Sequence, residues 1–147
     1  MDEITIEGVL LSPLKKIEHP KGDIFHGMKK SDKGFSGFGE AYFSTINHND
    51  TKPWKKHFQM TLNFVVPVGE IRFVIYDDRV GSKTKDHFFD VTLGKNNYQR
   101  ITIPPGLWVA FNGVGEVYNL LLNLANLEHD PNEIERKEAL SEISYLW

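Results

Sequence analysis

The chain has 147 residues, of which 40% are hydrophobic and 12% aromatic, enough for one domain with a substantial core. Its 17 basic and 20 acidic residues give a formal net charge of -3, so composition gives no reason to expect nucleic acid or a membrane surface as a partner. Cysteine is absent, which excludes disulfides and thiolate chemistry.

The first residues and the hydropathy of the chain are used to predict its cellular location. The first residues, MDEITIEG, are acidic, whereas a signal peptide begins with a basic segment followed by an apolar one. No apolar stretch reaches the length of a transmembrane span. We therefore expect a cytoplasmic protein.

The first third of the chain predicts short strands separated by turns. Strands are expected at residues 4–11, 14–18, 23–28 and 40–46. The polar, glycine-rich segment KKSDKGFSGFG at residues 29–39 predicts a surface loop, and a lid over a site is a second interpretation. The cluster NHNDTKP at residues 47–53 predicts a turn into the next element.

The stretch WKKHFQMTLNFVVPVGEIRFVIYDDR, residues 54–79, is the central segment of the prediction. A period of two separates polar His57, Gln59, Thr61 and Asn63 from apolar Phe58, Met60, Leu62 and Phe64. A face of neutral polar side chains favours a ligand-sized cavity, with an ordinary solvated face as the alternative. Pro67, Val68 and Gly69 then interrupt the pattern, so the two halves predict a β-hairpin.

The rest of the chain predicts four more strands and a terminal helix. The strands are expected at residues 86–93, 100–103, 107–111 and 117–124, and their spacing favours β-structure even for the leucine-rich run VYNLLLNLANL. Asp130 as N-cap, Pro131 in the first turn and Glu133 as a capping-box carboxylate predict a helix over residues 131–139. The pattern indicates an all-β sandwich or jelly-roll barrel with a short C-terminal helix.

Four segments carry a resemblance to a known family: WKKH at residues 54–57, VGEIRFVIYDDR, ITIPPGLWVAF and NLANLEHDPNEIER. In this order and spacing they resemble the cupin-fold sugar-nucleotide epimerases of the dTDP-4-dehydrorhamnose 3,5-epimerase type, especially short relatives from surface-polysaccharide gene clusters. The resemblance implies a single cupin domain over residues 1–147 and a homodimer. It also implies cofactor-independent epimerisation, at C3, of a nucleotide-linked 4-keto-6-deoxy sugar for surface polysaccharide such as lipopolysaccharide.

The resemblance also implies catalytic roles. His57 stands at the family's histidine, which removes the proton next to the ketone, and imidazole suits this task because the base must titrate near neutral pH. The alternative is a strand histidine satisfied by its neighbours. The family's acid tyrosine is replaced by Asn123, which cannot donate a proton in this way, so Tyr42 is the expected substitute, with a core or rim tyrosine as the alternative. The acid that orients the histidine in longer members comes from a C-terminal segment that this chain lacks.

The predicted substrate-binding residues are polar or aromatic side chains: Ser44, Trp54, Lys55, Lys56, Gln59, Asn63 and Asn123. Ser44 and Gln59 are expected to hold sugar hydroxyls. Lys52, Lys55 and Lys56 beside the tryptophan are candidates for holding a diphosphate, and Lys55 or Lys56 is expected to meet it. The alternative for the lysines is a solvated basic edge. The arginine that the family carries near the start of the histidine motif is absent.

A metal site is not predicted. Cupin metal sites need two histidines at alternate positions of one strand and a third late in the chain. Here Gln59 follows His57 at the alternate position, and the late strand at residues 117–124 has no histidine.

Two other functions stay open. Asn123 in place of the acid favours either a cupin that binds a sugar nucleotide without turnover or a 3,4-ketoisomerase of the same fold. His57 with its polar face favours the epimerase. The nucleotide, the sugar and the carbon that reacts are not determined by the sequence.

Overall fold

The computed structural model describes residues 3–147 and consists almost entirely of short strands. In chain order they are β1 Leu10–Pro13, β2 Lys16–Ile17, β3 Ile24–Phe25, β4 Glu40–Thr45, β5 Thr51–His57, β6 Leu62–Val68, β7 Glu70–Asp77, β8 Phe88–Gly94, β9 Gln99–Ile103, β10 Leu107–Gly113, β11 Leu120–Ala125 and β12 Ile134–Arg136. Two 3-10 turns lie at Pro131–Glu133 and Leu140–Glu142. None of the helical segments within residues 3–147 has the length and apolarity needed for a membrane crossing.

Two five-stranded sheets pack face to face around the core. Sheet 1 has the strand order β1-β9-β6-β11-β4, and sheet 2 has the order β12-β5-β10-β7-β8. Apolar side chains from the inner faces meet between them; for example, Phe64 of sheet 1 stacks on Phe73 of sheet 2 with ring centroids 5.3 Å apart. Strands β2 and β3 form a separate two-stranded sheet. This arrangement confirms the predicted jelly-roll barrel of the cupin class.

Most of the predicted strands are present. The strands expected at residues 40–46, 86–93, 100–103, 107–111 and 117–124 correspond to β4, β8, β9, β10 and β11, and the leucine-rich run is a strand. The strand predicted over residues 4–11 is wrong in its first part. Strand β1 begins only at Leu10, because the chain turns inward at Ile6 and Val9, which are buried in the core.

The hairpin predicted across Pro67, Val68 and Gly69 is wrong. Strand β6 pairs with β9 and β11 in sheet 1, whereas β7 pairs with β8 and β10 in sheet 2. Gly69 makes this transfer between the sheets with a positive φ of 79°, and a Cβ on it would lie 2.2 Å from the carbonyl oxygen of Tyr118. Both strands contribute to the core from opposite sides, so they do not need to pair with each other.

The polar face predicted along residues 57–63 does not exist, because these residues do not form one strand. Strand β5 ends at His57, residues 58–61 bend, and β6 begins at Leu62 in the other sheet. In the bend, the backbone N–H groups of Gln59 and Met60 donate to the carboxylate of Glu133 and not to a neighbouring strand. His57 and Asn63 therefore belong to different sheets.

The predicted C-terminal helix is also wrong. Asp130 does cap a turn by accepting from the N–H of Asn132, but that turn is a single 3-10 turn. The chain then extends as β12, which pairs with β5 at the edge of sheet 2. The carboxylate of Glu133 is used inside the protein, so it is not available as a capping-box side chain.

The loop at residues 29–39 forms as predicted, and its position argues against a lid. Buried Arg100 donates from Nη2 to the carbonyl of Lys33, and Asn63 Nδ2 donates to the carbonyl of Gly34. Arg100 and Asn63 alternate along their strands with core residues, so the loop is held on the face of sheet 1 that points away from the barrel interior.

Candidate active site

A cavity of about 130 Å³ opens at one side of the barrel, where the two sheets end in β4 and β12. Its deep wall is apolar, and its rim carries polar and cationic groups. The lining side chains are Tyr42, Ser44, Lys52, Pro53, Lys55, His57, Leu62, Phe64, Val109, Phe111, Leu121, His129, Ile134 and Arg136. Pockets that bury a whole drug-sized ligand measure about 300–1,000 Å³, so this cavity encloses one part of a ligand and leaves the rest at the rim.

His57 and Glu133 form a hydrogen-bonded pair in the wall of this cavity. The distance from His57 Nδ1 to Glu133 Oε1 is 2.5 Å, and the two side chains are only 11% and 8% exposed. A carboxylate only accepts, so Nδ1 carries the hydrogen. In neutral imidazole Nε2 is then the basic nitrogen, and no described residue provides it with a hydrogen-bond partner.

The carboxylate of Glu133 is held in its ionised form. Burial by itself raises the pKa of Glu133, but the hydrogen bonds from His57, Gln59 N and Met60 N outweigh burial and hold that pKa below its ordinary value. Its second oxygen is fixed by these two backbone donors at 3.0 and 3.2 Å. Glu133 therefore fixes the orientation and tautomer of His57 and can stabilise a positive charge on it.

Sequence reasoning missed this partner. It assigned Glu133 to a helix cap and expected the residue that orients the histidine to be lacking, and the structure contradicts both expectations. A three-residue strand, β12, brings the region next to β5, with Ile134 directly opposite His57. Such a short strand has too few residues to show a period in the sequence.

Tyr42 lines the same cavity as His57, but it comes from β4 in sheet 1, whereas His57 is on β5 in sheet 2. It is a cross-strand neighbour of Asn123, whose Nδ2 donates to the Tyr42 hydroxyl oxygen at 3.0 Å. Asn123 is fully buried and its Oδ1 accepts from the N–H of Asn63, so its orientation is fixed. Tyr42 is 43% exposed at the rim, and its own hydroxyl hydrogen has no acceptor among residues 3–147.

An irregularity in β5 determines which of its lysines face the cavity. Opposite β10, Val109 pairs with Lys55 and Phe111 pairs with Lys52, so β5 contains one extra residue, as in a β-bulge. Residues 52 and 55 consequently face the same side, although a regular strand would place them on opposite faces.

The two lysines differ in how they are held. Lys52 Nζ donates to Ser44 Oγ at 2.9 Å and to the carbonyl of Thr45 at 2.8 Å, which links the two sheets across the open side. Burial lowers the pKa of Lys52. The pKa of Lys55 is also lowered, first by burial and then by the positive charges of Arg136 and Lys52.

The structure brings only part of the predicted site together. Tyr42, Ser44, Lys55 and His57 line the cavity, and Asn123 lies directly behind the hydroxyl of Tyr42. Lys52, named with the other two lysines as a possible diphosphate contact, lines the cavity as well, and the prediction did not include two further polar lining residues, His129 and Arg136. Arg136 was missed because it lies in the segment that was assigned to a helix.

Four predicted substrate-binding residues lie elsewhere. Trp54 is fully buried on the outer face of sheet 2, where its Nε1 donates to the carbonyl of Leu140. Lys56 lies on that same outer face, 2.8 Å from a carboxylate oxygen of Asp78. The Gln59 side chain is exposed in the bend, and Asn63 is buried under the loop at residues 29–39. Trp54 and Lys56 alternate with Lys55 and His57 along β5, so they lie on the face that points away from the cavity. The break after β5 displaced Gln59 and Asn63 from the predicted polar face.

No group of three or more His, Cys, Asp or Glu side chains in the described chain is arranged to hold a metal ion. The absence of a bound metal stays a prediction.

A solved structure identifies the family of the chain. The dTDP sugar isomerase of Desulfovibrio desulfuricans G20 is 37% identical to the chain and has a TM-score of 0.92 over 97% of this chain and 92% of that one. The chain belongs to the dTDP-4-dehydrorhamnose 3,5-epimerase-like family of sugar-nucleotide isomerases. This confirms the resemblance found in the sequence.

Two further similarities agree with membership of the dTDP-4-dehydrorhamnose 3,5-epimerase-like family. The dTDP-4-dehydrorhamnose 3,5-epimerase of Sulfolobus tokodaii shares the fold, with a TM-score of 0.84 over 99% of this chain and 85% of that one, at 18% identity. A Haloferax volcanii protein named "Probable low-salt glycan biosynthesis epimerase Agl13" is 34% identical over 97 residues, which are 63% of this chain. That match spans only 62% of Agl13. No protein-family model matches the chain.

Proposed function

We propose that the protein is a cofactor-independent epimerase of a nucleotide-linked 4-keto sugar. The observation that carries this proposal is the buried His57–Glu133 pair, which lines the same cavity as Tyr42. The two groups come from different sheets, so a sugar ring between them would present one face to each. Inversion at a carbon needs this arrangement, with a base on one face and an acid on the other.

In the first step, His57 Nε2 removes the hydrogen on the carbon next to the ketone. The C–H bond breaks, its electron pair moves toward the carbonyl oxygen, and an enolate forms while the imidazole becomes positively charged. Glu133, 2.5 Å from Nδ1, stabilises that charge and fixes the ring in place. Cations that line the cavity supply a positive field for the developing oxyanion.

In the second step, the Tyr42 hydroxyl delivers its hydrogen to the opposite face of the same carbon. Asn123 supports this role without donating a proton to substrate, because it gives a hydrogen bond to the hydroxyl oxygen and leaves the hydroxyl hydrogen free. The tyrosinate then takes a proton from solvent, which its exposed position at the rim permits, and His57 returns its proton to solvent.

The composition of the cavity supports a substrate of this class. Leu62, Phe64 and Phe111 form an apolar surface suited to a deoxygenated carbon, and Ser44 on β4 is placed to meet a sugar hydroxyl. Lysines and an arginine at the rim suit the diphosphate of an activated sugar. The neighbours named above act on dTDP sugars and in glycan biosynthesis, so we propose C3 epimerisation of a 4-keto-6-deoxy sugar nucleotide for surface polysaccharide.

The assembly and the location are part of the same proposal. We propose a homodimer, since sheet 1 leaves β1 and β4 as unpaired edges in the single chain. A monodisperse monomer in light scattering at micromolar concentration would contradict it. A cytoplasmic location is proposed because activated sugars are made from nucleoside triphosphates there, and cell fractionation tests it.

The product of the reaction tests the function. We would incubate the protein with dTDP-4-keto-6-deoxyglucose and identify the product by NMR spectroscopy. An epimer with the ketone still at C4 supports the proposal. A product with the ketone moved to C3 identifies a 3,4-ketoisomerase, which needs no acid on the opposite face. Tight binding with neither product identifies a binding protein.

A further inference from the structure

An aromatic cluster lies on the outer face of sheet 2, the face that points away from the cavity. Trp54 of β5 and Trp108 of β10 are fully buried in it, and Tyr76 of β7 and Phe88 of β8 are partly buried beside them. This outer cluster shares no residue with the cavity wall. A sheet face as apolar as this one has to be covered by another part of the chain.

Residues 137–147, which follow β12, cover the outer cluster and form a segment that we call the outer strap. Its alternate side chains Ile143, Tyr145 and Trp147 pack against the cluster, and the residues between them are exposed. The hydroxyl of Tyr145 also donates to Asp90 of β8 at 2.7 Å. The ring contacts of Trp147 and Tyr145 reach β5 and β8, so the strap spans sheet 2.

Trp54 joins the outer strap to strand β5. Its carbonyl oxygen accepts from the N–H of Lys137 at 2.9 Å, which continues the pairing of β5 with β12 by one residue. Its Nε1 donates to the carbonyl oxygen of Leu140 at 3.0 Å. Trp54 lies three residues before His57 in the same strand, with its side chain on the opposite face. The strap is therefore fixed to the strand that carries the proposed base.

The backbone around Glu133 has little packing of its own. The residues before it, 127–132, are all exposed. The strand after it, β12, has three residues and pairs with β5 alone at the edge of sheet 2. So short an edge strand makes few hydrogen bonds, and burial of apolar side chains has to hold it in place. The outer strap, which continues directly from β12, provides that burial.

We propose that the outer strap positions the His57–Glu133 pair, with Trp54 as its attachment point. The inference rests on the proposed function for the reaction that the pair performs. Burial of the strap on the outer face holds β12 against β5, and this keeps the Glu133 carboxylate at His57 Nδ1 on the inner face. A small displacement of β12 would lengthen that 2.5 Å hydrogen bond and release the imidazole ring. Trp54 is a positioning residue, since it does not line the cavity.

Ile143→Ala tests this role, with Ile71→Ala as the matched control. The two changes remove the same atoms, but Ile71 is buried in the core between the sheets and belongs neither to the outer cluster nor to the cavity wall. The readout is the nitrogen-15 NMR signal of the neutral His57 ring, assigned by its absence in His57→Asn. Wild type and Ile71→Ala should carry the hydrogen on Nδ1, whereas Ile143→Ala should show a mixture of the two tautomers.

Trp54→Phe is a second variant, which keeps the test decisive if Ile143→Ala does not fold. It removes the indole donor to Leu140 and keeps an aromatic side chain in the outer cluster. It should move the His57 signal in the same direction as Ile143→Ala, and circular dichroism checks the fold of each variant. A hydrogen fixed on Nδ1 in the folded strap variants would overturn the proposal, and so would an equal mixture of tautomers in Ile71→Ala.

Turnover gives a second readout, because the strap acts through Glu133. Ile143→Ala should lower kcat by part of the about 10–100-fold loss expected from Glu133→Gln, and it should leave KM at the wild-type value. In the Glu133→Gln background, Ile143→Ala should lower kcat no further. Equal losses of kcat in the two backgrounds would contradict an action through Glu133.

The two readouts separate the role of the strap from the proposed function. A His57 tautomer that depends on the strap, in a protein without epimerase activity, would keep the inference and reject the function. Epimerase activity in a protein whose His57 tautomer is unchanged by Ile143→Ala and Trp54→Phe would keep the function and reject the inference.

Discussion

The two faces of strand β5 differ in how completely their polar groups are satisfied. On the outer face, Lys56 meets Asp78 and the ring of Trp108, and the indole of Trp54 donates to a backbone carbonyl. On the inner face, Lys55 has no partner among residues 3–147, and His57 is partnered at Nδ1 alone. The polar groups on the outer face therefore have partners within the protein. On the inner face, Lys55 Nζ and His57 Nε2 have none among residues 3–147 and can bind a ligand.

The difference shows that composition along a strand does not reveal function by itself. Lys55 and Lys56 are adjacent and chemically identical, yet one stabilises the fold and the other faces the cavity. What separates them is the face on which each lies and the carboxylates available there.

The largest effect is expected at the inner face from His57→Asn. The change removes the base, so the rate of exchange of the substrate hydrogen with solvent should fall about 10²–10⁴-fold. Mass spectrometry of the recovered sugar measures the rate, and an unchanged circular dichroism spectrum controls for folding. An unaltered exchange rate would reject His57 as the base.

Tyr42→Phe should separate the two steps. It removes the acid and keeps the base, so epimer formation should fall about 10²-fold while exchange of the hydrogen falls much less. Both rates can be followed in one NMR experiment in deuterated water. Equal losses in the two rates would argue that Tyr42 positions the substrate and does not deliver the proton.

Glu133→Gln should lower activity less, by about 10–100-fold, because the imidazole stays in place but loses its negatively charged partner. Its effect on stability depends on pH. Since the fold holds the pKa of Glu133 below its ordinary value, the ionised carboxylate stabilises the folded protein above that ordinary value, and this contribution is lost as the pH falls through the lowered pKa.

Denaturant unfolding of wild type and Glu133→Gln over a range of pH measures this contribution. Wild type should lose more unfolding free energy than the variant between about pH 6 and pH 3. Asp77, whose pKa is lowered by hydrogen bonds from Arg79, Ser82 and Thr84 that outweigh burial, is common to both proteins and cancels in the comparison. Parallel pH profiles would contradict the ionised pair.

The smallest effect is expected at the outer face. Lys56→Met removes the ion pair with Asp78 and should cost about 1 kcal/mol of unfolding free energy. Ligand affinity and turnover should be unchanged, since this side chain points away from the cavity. A loss of ligand affinity or of turnover in Lys56→Met would remove the distinction between the two faces.

The sequence predicted what depends on local pattern. Alternating apolar residues and turn clusters were enough for β4 and β8–β11, and the order of four motifs identified the family. Of the predicted site residues, Tyr42, Ser44, Lys55 and His57 do line the cavity.

The rest depends on pairing between distant segments, which a local pattern does not encode. The bulge that turns Lys52 toward the cavity exists only in the register between β5 and β10. Glu133 becomes the partner of His57 because β12 pairs with β5, and at a sequence separation of 76 residues no local pattern shows it. Asn123 could be recognised as a departure from the family, but its bond to Tyr42 required the structure.

Incorporation of solvent deuterium by the wild-type protein tests the central claim most directly. The protein would be incubated in deuterated water with dTDP-4-keto-6-deoxyglucose, and the position of the label would be determined by NMR spectroscopy. The account predicts deuterium at a carbon next to the ketone, since His57 removes that hydrogen and exchanges it with solvent. Binding of the nucleotide sugar with no deuterium in it would contradict the account.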